Sequence, residues 1–281
     1  MNDLLFYYDH FASRPRGGYD KVNITKDGKI FYVHLSLLNQ FLDDYAQHEE
    51  QFGLITEGGD LCIHENAGEI VIANSHGSDI ISVISKNKLV NKNIKFWFST
   101  NNNTFSIPIN NIPLGFWRKI NLIPEIKKQE DKINKILMCF NPNNNPNLRY
   151  PLLDKYVLDK NVEYLEFPRG KEHNQHIPQE TTQAHLHLLS AINSFKYVLC
   201  PQSNGLDTNR LWECELLDTV PITSMLPYYR NIRPFLNIMS FDLLNLNTDM
   251  IVNGTKTLVN KKYFLLESYW LAQIKHLQEK L

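Results

Sequence analysis

The sequence predicts an α/β protein with mostly parallel sheets. Short apolar runs alternate with amphipathic stretches along most of the chain. The runs end in turn-forming clusters, at Gly58 to Asp60, Asn74 to Asp79, Asn141 to Arg149 and Gln202 to Asp207. A polar stretch, Glu125 to Lys135 (EIKKQEDKINK), divides the strand and helix series in two. Two such series predict two Rossmann-like lobes facing a cleft, 1–124 and 125–262, followed by a last helix over 263–281. Ligands in open α/β sheets bind outside the carboxyl ends of the strands, so the four turns are expected to converge on that cleft.

Each element has its own signal. Leu37, Leu38, Phe41, Leu42 and Tyr45 fall at helical spacing, which predicts a helix over Ser36 to Glu50. Phe52 to Thr56, Glu69 to Ala73 and Lys95 to Ser99 read as strands, and Ser106 to Ile109 and Ile112 to Gly115 as a Pro-broken exit. In the second series Lys135 to Phe140, Val162 to Phe167, Tyr197 to Cys200 and Val220 to Thr223 read as strands. Helices are expected over Pro178 to Asn193 and Asp207 to Asp218. Leu266, Trp270, Ile274, Leu277 and Leu281 form the apolar stripe of the last helix. No repeat of solenoid period is present.

Composition narrows the classes. A chain of 281 residues with 43% hydrophobic and 21% charged residues can bury a core without disulfides or a structural metal. A net charge of -1 gives no general electrostatic grip on nucleic acid. Cys62, Cys139, Cys200 and Cys214 show no CxxC spacing and read as free thiols of a reducing compartment. The start of the chain lacks a basic segment followed by an apolar one, and no run approaches the ~20 apolar residues of a membrane span. The expected location is cytoplasmic, with any membrane role confined to docking at an inner face. Asn runs such as Asn101 to Asn103 and Asn143 to Asn145 read as loops, where Asn tolerates left-handed backbone. His185 and His187, two apart on a helix, point to different sides, and His173 and His176 sit in a polar stretch, so no metal site is expected.

The most informative stretch is Tyr197 to Thr223, a strand, a small-residue loop, a helix and a strand. Gly205 permits close approach of the backbone to a ligand. Asp207 is a sound N-cap, and the helix behind it offers free N–H groups and a dipole that favours phosphate. Arg210 and Glu213, three apart, share a helical face. They suit a diphosphate and the hydroxyls of a ribose respectively, or else a surface ion pair.

This stretch resembles the donor-site signature of exostosin-like and related bacterial and viral glycosyltransferases, approximately P-x-G-N-G-x-D-x-x-R-x-W-E followed by I-P. The matching residues are Pro201, Asn204, Gly205, Asp207, Arg210, Trp212, Glu213 and Pro221. Ser203 replaces a common Gly, and Leu217-Asp218-Thr219 replaces a Leu-Gly-x turn. Asn145 to Arg149 is similar to a T-N-P-x-x-R segment of the same proteins, which makes Arg149 a second phosphate ligand or a solvated loop residue. Thr56 to Asp60 resembles a T-x-x-S-D turn, and Lys95 to Asn101 with Ile112 to Gly115 resembles a W-F-x-x-N … I-P-x-G-L block. The likeness runs from about Leu54 onward.

The resemblance implies a two-lobe GT-B architecture. The C-terminal lobe then holds a nucleotide sugar through Arg149, Asn204, Gly205, Asp207, Arg210 and Glu213, and the last helix packs back on the first lobe. It implies an inverting transferase acting on a glycan or lipid-linked acceptor. An inverting transfer needs a base in the N-terminal half. Asp60, after a strand and a Gly-Gly turn, is the first expectation; Asp79, His76 and His64 are alternatives. No D-x-D motif occurs, so a metal-independent mechanism without a cofactor is expected. The competing expectations are another nucleotide-sugar enzyme such as an epimerase, against which the missing G-x-G-x-x-G counts, and a non-catalytic carbohydrate-binding protein with a degenerate fold.

Overall fold

The computed structural model describes residues 24–27, 29–45, 49–66, 69–75, 77, 79–89, 93–113, 131–166, 178–232, 236–254 and 267–280. In chain order the first half comprises β1 (Ile24–Asp27), β2 (Ile30–His34), α1 (Leu38–Asp44), β3 (Phe52–Glu57), β4 (Cys62–Asn66), β5 (Glu69–Ala73), β6 (Ile80–Ser85), α2 (Lys86–Leu89), β7 (Ile94–Ser99), β8 (Asn102–Asn103) and β9 (Asn110–Asn111). The second half follows with β10 (Ile133–Met138), α3 (Pro146–Tyr156), β11 (Val162–Tyr164), α4 (Pro178–Ser194), β12 (Phe195–Leu199), α5 (Asn209–Leu216), β13 (Val220–Ser224), α6 (Pro227–Ile232), β14 (Met239–Phe241), α7 (Thr248–Asn253) and α8 (Glu267–Gln278). The chain is a mixed α/β protein.

Three sheets organise these elements. One runs β1-β2-β3-β7-β9, parallel apart from the antiparallel β1 edge. A second runs β11-β10-β12-β13-β14 and is parallel throughout. A third runs β6-β5-β4-β8; here β4, β5 and β6 form an antiparallel meander. Glu69 to Ala73 is a strand as expected, but its sheet departs from the mostly parallel pattern expected of the chain. Ile70 and Ile72 alternate into the core from the middle of a meander, and short links between strands permit only antiparallel pairing. Among the described residues, no strand up to Asn111 shares a sheet with any strand from Ile133 onward.

The expected linker is also shortened. Residues 125–130 lie outside the described residues, but Ile133 to Lys135 already belong to β10. Lys132, read as linker from its charge, donates to the carbonyls of Asn193 (2.7 Å) and Leu217 (2.9 Å) and to Thr219 Oγ1 (2.9 Å). It ties the start of the second sheet to the ends of α4 and α5.

Period-two alternation explains the packing of both parallel sheets. In β10 and β12, Ile136, Met138, Tyr197 and Leu199 face one way, packing with Leu152 and Tyr156 of α3 and Ile251 and Val252 of α7. Leu137, Cys139, Val198 and Cys200 face the other, with Leu188, Leu189 and Ile192 of α4 and Cys214 of α5. In the first sheet Phe31, Val33, Leu54 and Trp97 pack with α1 and the meander. Ile30, Ile55, Phe96 and Phe98 face a separate core with Leu206, Leu211, Trp212, Tyr228, Tyr229 and Ile274. That core joins the two halves and includes α8 through Ile274. It also explains Gly53, where an added Cβ would meet the Phe96 ring at 2.0 Å.

Candidate functional site

The second sheet has the strand order second-first-third-fourth-fifth in its own sequence. Its connections reverse direction between β10 and β12, which is the switch point where such sheets open a crevice beyond their carboxyl ends. Two loops flank that point, Cys139 to Asn145 after β10 and Cys200 to Thr208 after β12.

Arg149 stitches these loops together. It was expected in a loop, but it lies on α3, which begins at Pro146, a favoured first helical residue. Its Nη1 donates to the Asn141 carbonyl at 2.9 Å, its Nε to Gln202 at 3.0 Å and its Nη2 to Pro201 at 3.0 Å. The guanidinium is buried and stands 5.4 Å from the centre of the Phe140 ring. Burial lowers its pKa to about 10, so it stays charged at neutral pH. Three of the five guanidinium N–H groups are thus committed to the backbone. The phosphate contact expected of Arg149 has to draw on what these carbonyls leave.

The loop after β12 also meets three loops of the first half. Ser75 N–H donates to the Asn204 carbonyl at 2.7 Å, and Ser75 Oγ donates to the Ser203 carbonyl. Asn204 Nδ2 reaches Asp60 Oδ2 at 3.5 Å. Asn101 Nδ2 donates to the Gly59 carbonyl and its Oδ1 accepts from Asp207 N–H, both at 2.7 Å. The turns after β3, β5 and β7 therefore border the loop after β12. Gly205 makes its close approach to Asn101: a Cβ there would lie 3.1 Å from Nδ2.

Sequence reasoning gave Asn101 no role of its own, although it closes the W-F-x-x-N likeness as well as opening an Asn run read as loop. It is fully buried with φ 51°. Its left-handed backbone aims one amide at two segments, a conformation Asn adopts more readily than other side chains. The expected result for Asn101→Ala is a loss of roughly 2–4 kcal/mol. It combines about 1–2 kcal/mol of left-handed strain with a buried acceptor and donor left unpaired. A denaturation midpoint equal to that of the parent chain would show that the bridge contributes nothing.

Asp207 does not cap α5. The N-cap is Thr208, whose side chain makes no capping bond, and the helix starts at Asn209. Asp207 is instead a buried strut: its Oδ1 accepts from the Trp212 indole N–H at 2.7 Å. A buried indole N–H requires such an acceptor, and this outweighs the local preference of Asp for the cap. Burial, then the nearby Asp207 carboxylate, push the phenols of Tyr228 and Tyr229 well above their ordinary range. At the far end of α5, Asp218 takes φ 53°, and Thr219 N–H bonds the Cys214 carbonyl at 2.9 Å. Asp thus holds the left-handed position after the helix that the resembled pattern gives to Gly.

Arg210 and Glu213 form an ion pair at 2.6 Å, with side chains 15% and 9% exposed. Burial disfavours the Arg210 cation. Glu213, with the sulfurs of Cys139, Cys214 and Cys200, more than offsets this and holds the guanidinium above its ordinary pKa. His185 of α4 approaches the second carboxylate oxygen at 3.5 Å.

Among the expected bases, Asp60 is exposed at the end of the turn after β3, beside Asn204. Asp79 braces its own turn, accepting from Asn74 Nδ2 at 2.7 Å. His64 Nε2 meets the Asn74 carbonyl at 2.8 Å, an arrangement that makes this nitrogen the donor. His76 lies outside the described residues, as do His173 and His176. Among the described residues no group of three or more His, Cys, Asp or Glu could hold a metal ion. No described helix is long and apolar enough to cross a membrane.

No family model matches the chain, and no curated protein matches it. One similar solved structure is described as "Crystal structure of GtfA/B complex", with 10% identity and a TM-score of 0.34. The match covers 91% of this chain and 56% of that one, so this chain spans little more than half of its length. A likeness at that level says nothing about activity.

Proposed function

We propose that the chain is an inverting glycosyltransferase that moves a sugar from a nucleotide donor to a glycan or lipid-linked acceptor. The observation that carries this reading is the meeting of Asp60 with the loop after β12, where Asn204 Nδ2 stands 3.5 Å from Asp60 Oδ2. A carboxylate from one half of the chain thereby borders a loop that flanks the switch point of the other. In this reading the two halves act as the lobes of a GT-B transferase, with the donor between β10 and β12.

The chemistry assigned to the residues follows. Asp60 accepts the proton of the acceptor hydroxyl as its oxygen attacks the anomeric carbon. The bond from that carbon to the diphosphate oxygen breaks on the opposite face, which inverts the centre. Arg210 and the N–H groups at the start of α5 stabilise the departing diphosphate, supplying positive charge without a metal. Glu213 lies one helical turn on, where it can address a ribose.

Arg210→Ala is expected to weaken nucleotide affinity by roughly 1.5–3 kcal/mol, the scale of a hydrogen bond to a charged group, while α5 stays folded. Glu213→Gln, alone and combined with Arg210→Ala, separates the loss of Arg210 from the carboxylate it leaves behind and from the ribose contact of Glu213. Thermal shift with UDP, GDP and CMP measures all three variants, because a ligand that binds only the folded chain raises its melting temperature. Stabilisation by NAD instead would point to an epimerase. Folded Arg210→Ala protein with undiminished affinity would remove Arg210 from the donor site.

A further inference from the structure

We propose that His185 is a positioning residue for the donor site: when Arg210 turns to an incoming diphosphate, protonated His185 replaces it as the counter-ion of Glu213, so donor binding takes up a proton. This rests on Arg210 being the phosphate ligand.

The geometry is a carboxylate approached from both sides. Arg210 Nη1 lies 2.6 Å from Glu213 Oε2, and His185 Nε2 lies 3.5 Å from Oε1. The first is a tight charge-assisted bond; the second is at the outer limit of a hydrogen bond. In this proposal the imidazole is neutral while Arg210 holds Glu213. The Glu213 side chain is only 9% exposed. Burial holds its pKa above the ordinary carboxylate value, and Arg210 offsets that burial only in part. An Arg210 redirected to phosphate would leave a buried carboxylate uncompensated, which is costly unless another cation takes its place. His185, on the helix packed against α5 and 24% exposed, is within reach and can supply that charge near neutral pH.

Around Arg210 stand three thiols, Cys139 after β10, Cys200 after β12 and Cys214 on α5, together with the Arg149 guanidinium of α3, whose charge also acts on it. Burial pushes Cys139 up to about 11 and Cys214 well above its ordinary value, so both are neutral where His titrates. His187, two residues along α4, is exposed. The sign of the linkage is fixed by the bound state, which favours the imidazolium. Donor affinity is greatest where the imidazole is protonated in the free and the bound protein alike, and the gain is lost as pH rises until the bound form too gives up its proton.

The test uses UDP-glucose and GDP-mannose, whose diester diphosphates do not titrate between about pH 6 and 8 (the terminal phosphate of a nucleoside diphosphate does, near 6). The parent chain is expected to bind its preferred donor roughly tenfold tighter at the acid end, one pKa unit of coupling corresponding to tenfold. Calorimetry in two buffers of different ionisation enthalpy should register uptake of up to about one proton. In His185→Gln and in Glu213→Gln both signals should vanish, whatever each change does to absolute affinity. Binding by the parent chain with no proton uptake, or with a pH dependence that His185→Gln retains, overturns this proposal and leaves the donor site standing. Absence of binding to either nucleotide sugar at any pH overturns the donor reading, and the role of His185 with it.

Discussion

Arg149→Met should lower the stability of the chain by roughly 3 kcal/mol or more. The guanidinium donates to three carbonyls, those of Asn141, Pro201 and Gln202, and hydrogen bonds to charged groups contribute about 1.5–3 kcal/mol each before non-additivity. Methionine fills much of the same volume and keeps α3 helical, so the loss isolates the donors from the packing. Two loops are affected at once, because Asn141 follows β10 whereas Pro201 and Gln202 follow β12. Arg149→Lys should recover only part of the loss: a point ammonium cannot reproduce a planar fork aimed at separate oxygens. Denaturant unfolding measures both variants. If Arg149→Met unfolds at the parent midpoint, the three bonds are not holding the switch point together. The variant also separates scaffold from ligand contact. A purely loop-holding Arg149 lowers nucleotide affinity only as far as the loops loosen, and added pyrophosphate should then stabilise parent and variant by similar increments.

The sequence made the inner strands of the second sheet legible because β12, β13 and the end of β10 are buried on both faces, whereas the half-buried edge strand β14 was not expected. Strands buried on both faces read as unbroken apolar runs, and KILMCF and YVLC announce themselves without context. The helix α3 was hidden by its own residues: Asn145-Pro146 signals a turn, and Pro151 sits inside the helix. The meander was hidden for a different reason. EIVIA reads alike as a parallel or an antiparallel strand, and only the partners decide. Within the site, chemistry-bearing residues could be picked out by type and order, but not their partners. Nothing local to Arg149 shows that two of its N–H groups turn to carbonyls 52 and 53 residues on. Asn101 is the clearest case, since its weight lies in bonds to Gly59 and Asp207, on either side of it in sequence and far from it. Asp207 illustrates tertiary override: local preference favours a cap, and the buried Trp212 N–H claims the carboxylate instead.

Asp60→Asn should lower turnover by about 100-fold or more while leaving donor affinity nearly unchanged. General-base catalysis contributes about 10²–10⁴-fold, and Asn keeps the shape of Asp while removing its basicity. Asp60 is exposed and stands on the turn after β3, whereas the proposed donor contacts stand on α5 and the loop after β12. Its link to that loop is the 3.5 Å approach of Asn204 Nδ2, a weak bond at most. The amide that replaces the carboxylate still offers an oxygen to Asn204, so the loop should not move. Asp79→Asn is the comparison. Asp79 accepts from Asn74 across its own turn, and an amide oxygen can accept the same bond. Its turnover should therefore stay within a few-fold of the parent, as expected for a residue that braces a turn. Single-turnover rates at saturating donor read the chemical step without product release. Normal turnover in Asp60→Asn alongside a dead Asp79→Asn would move the base to the turn after β5. If both retain full activity, neither carboxylate takes the proton, and the base must be sought among the remaining candidates, His64 and His76. Loss of donor affinity in Asp60→Asn, with turnover lost in proportion, would make Asp60 a loop-positioning residue acting through Asn204.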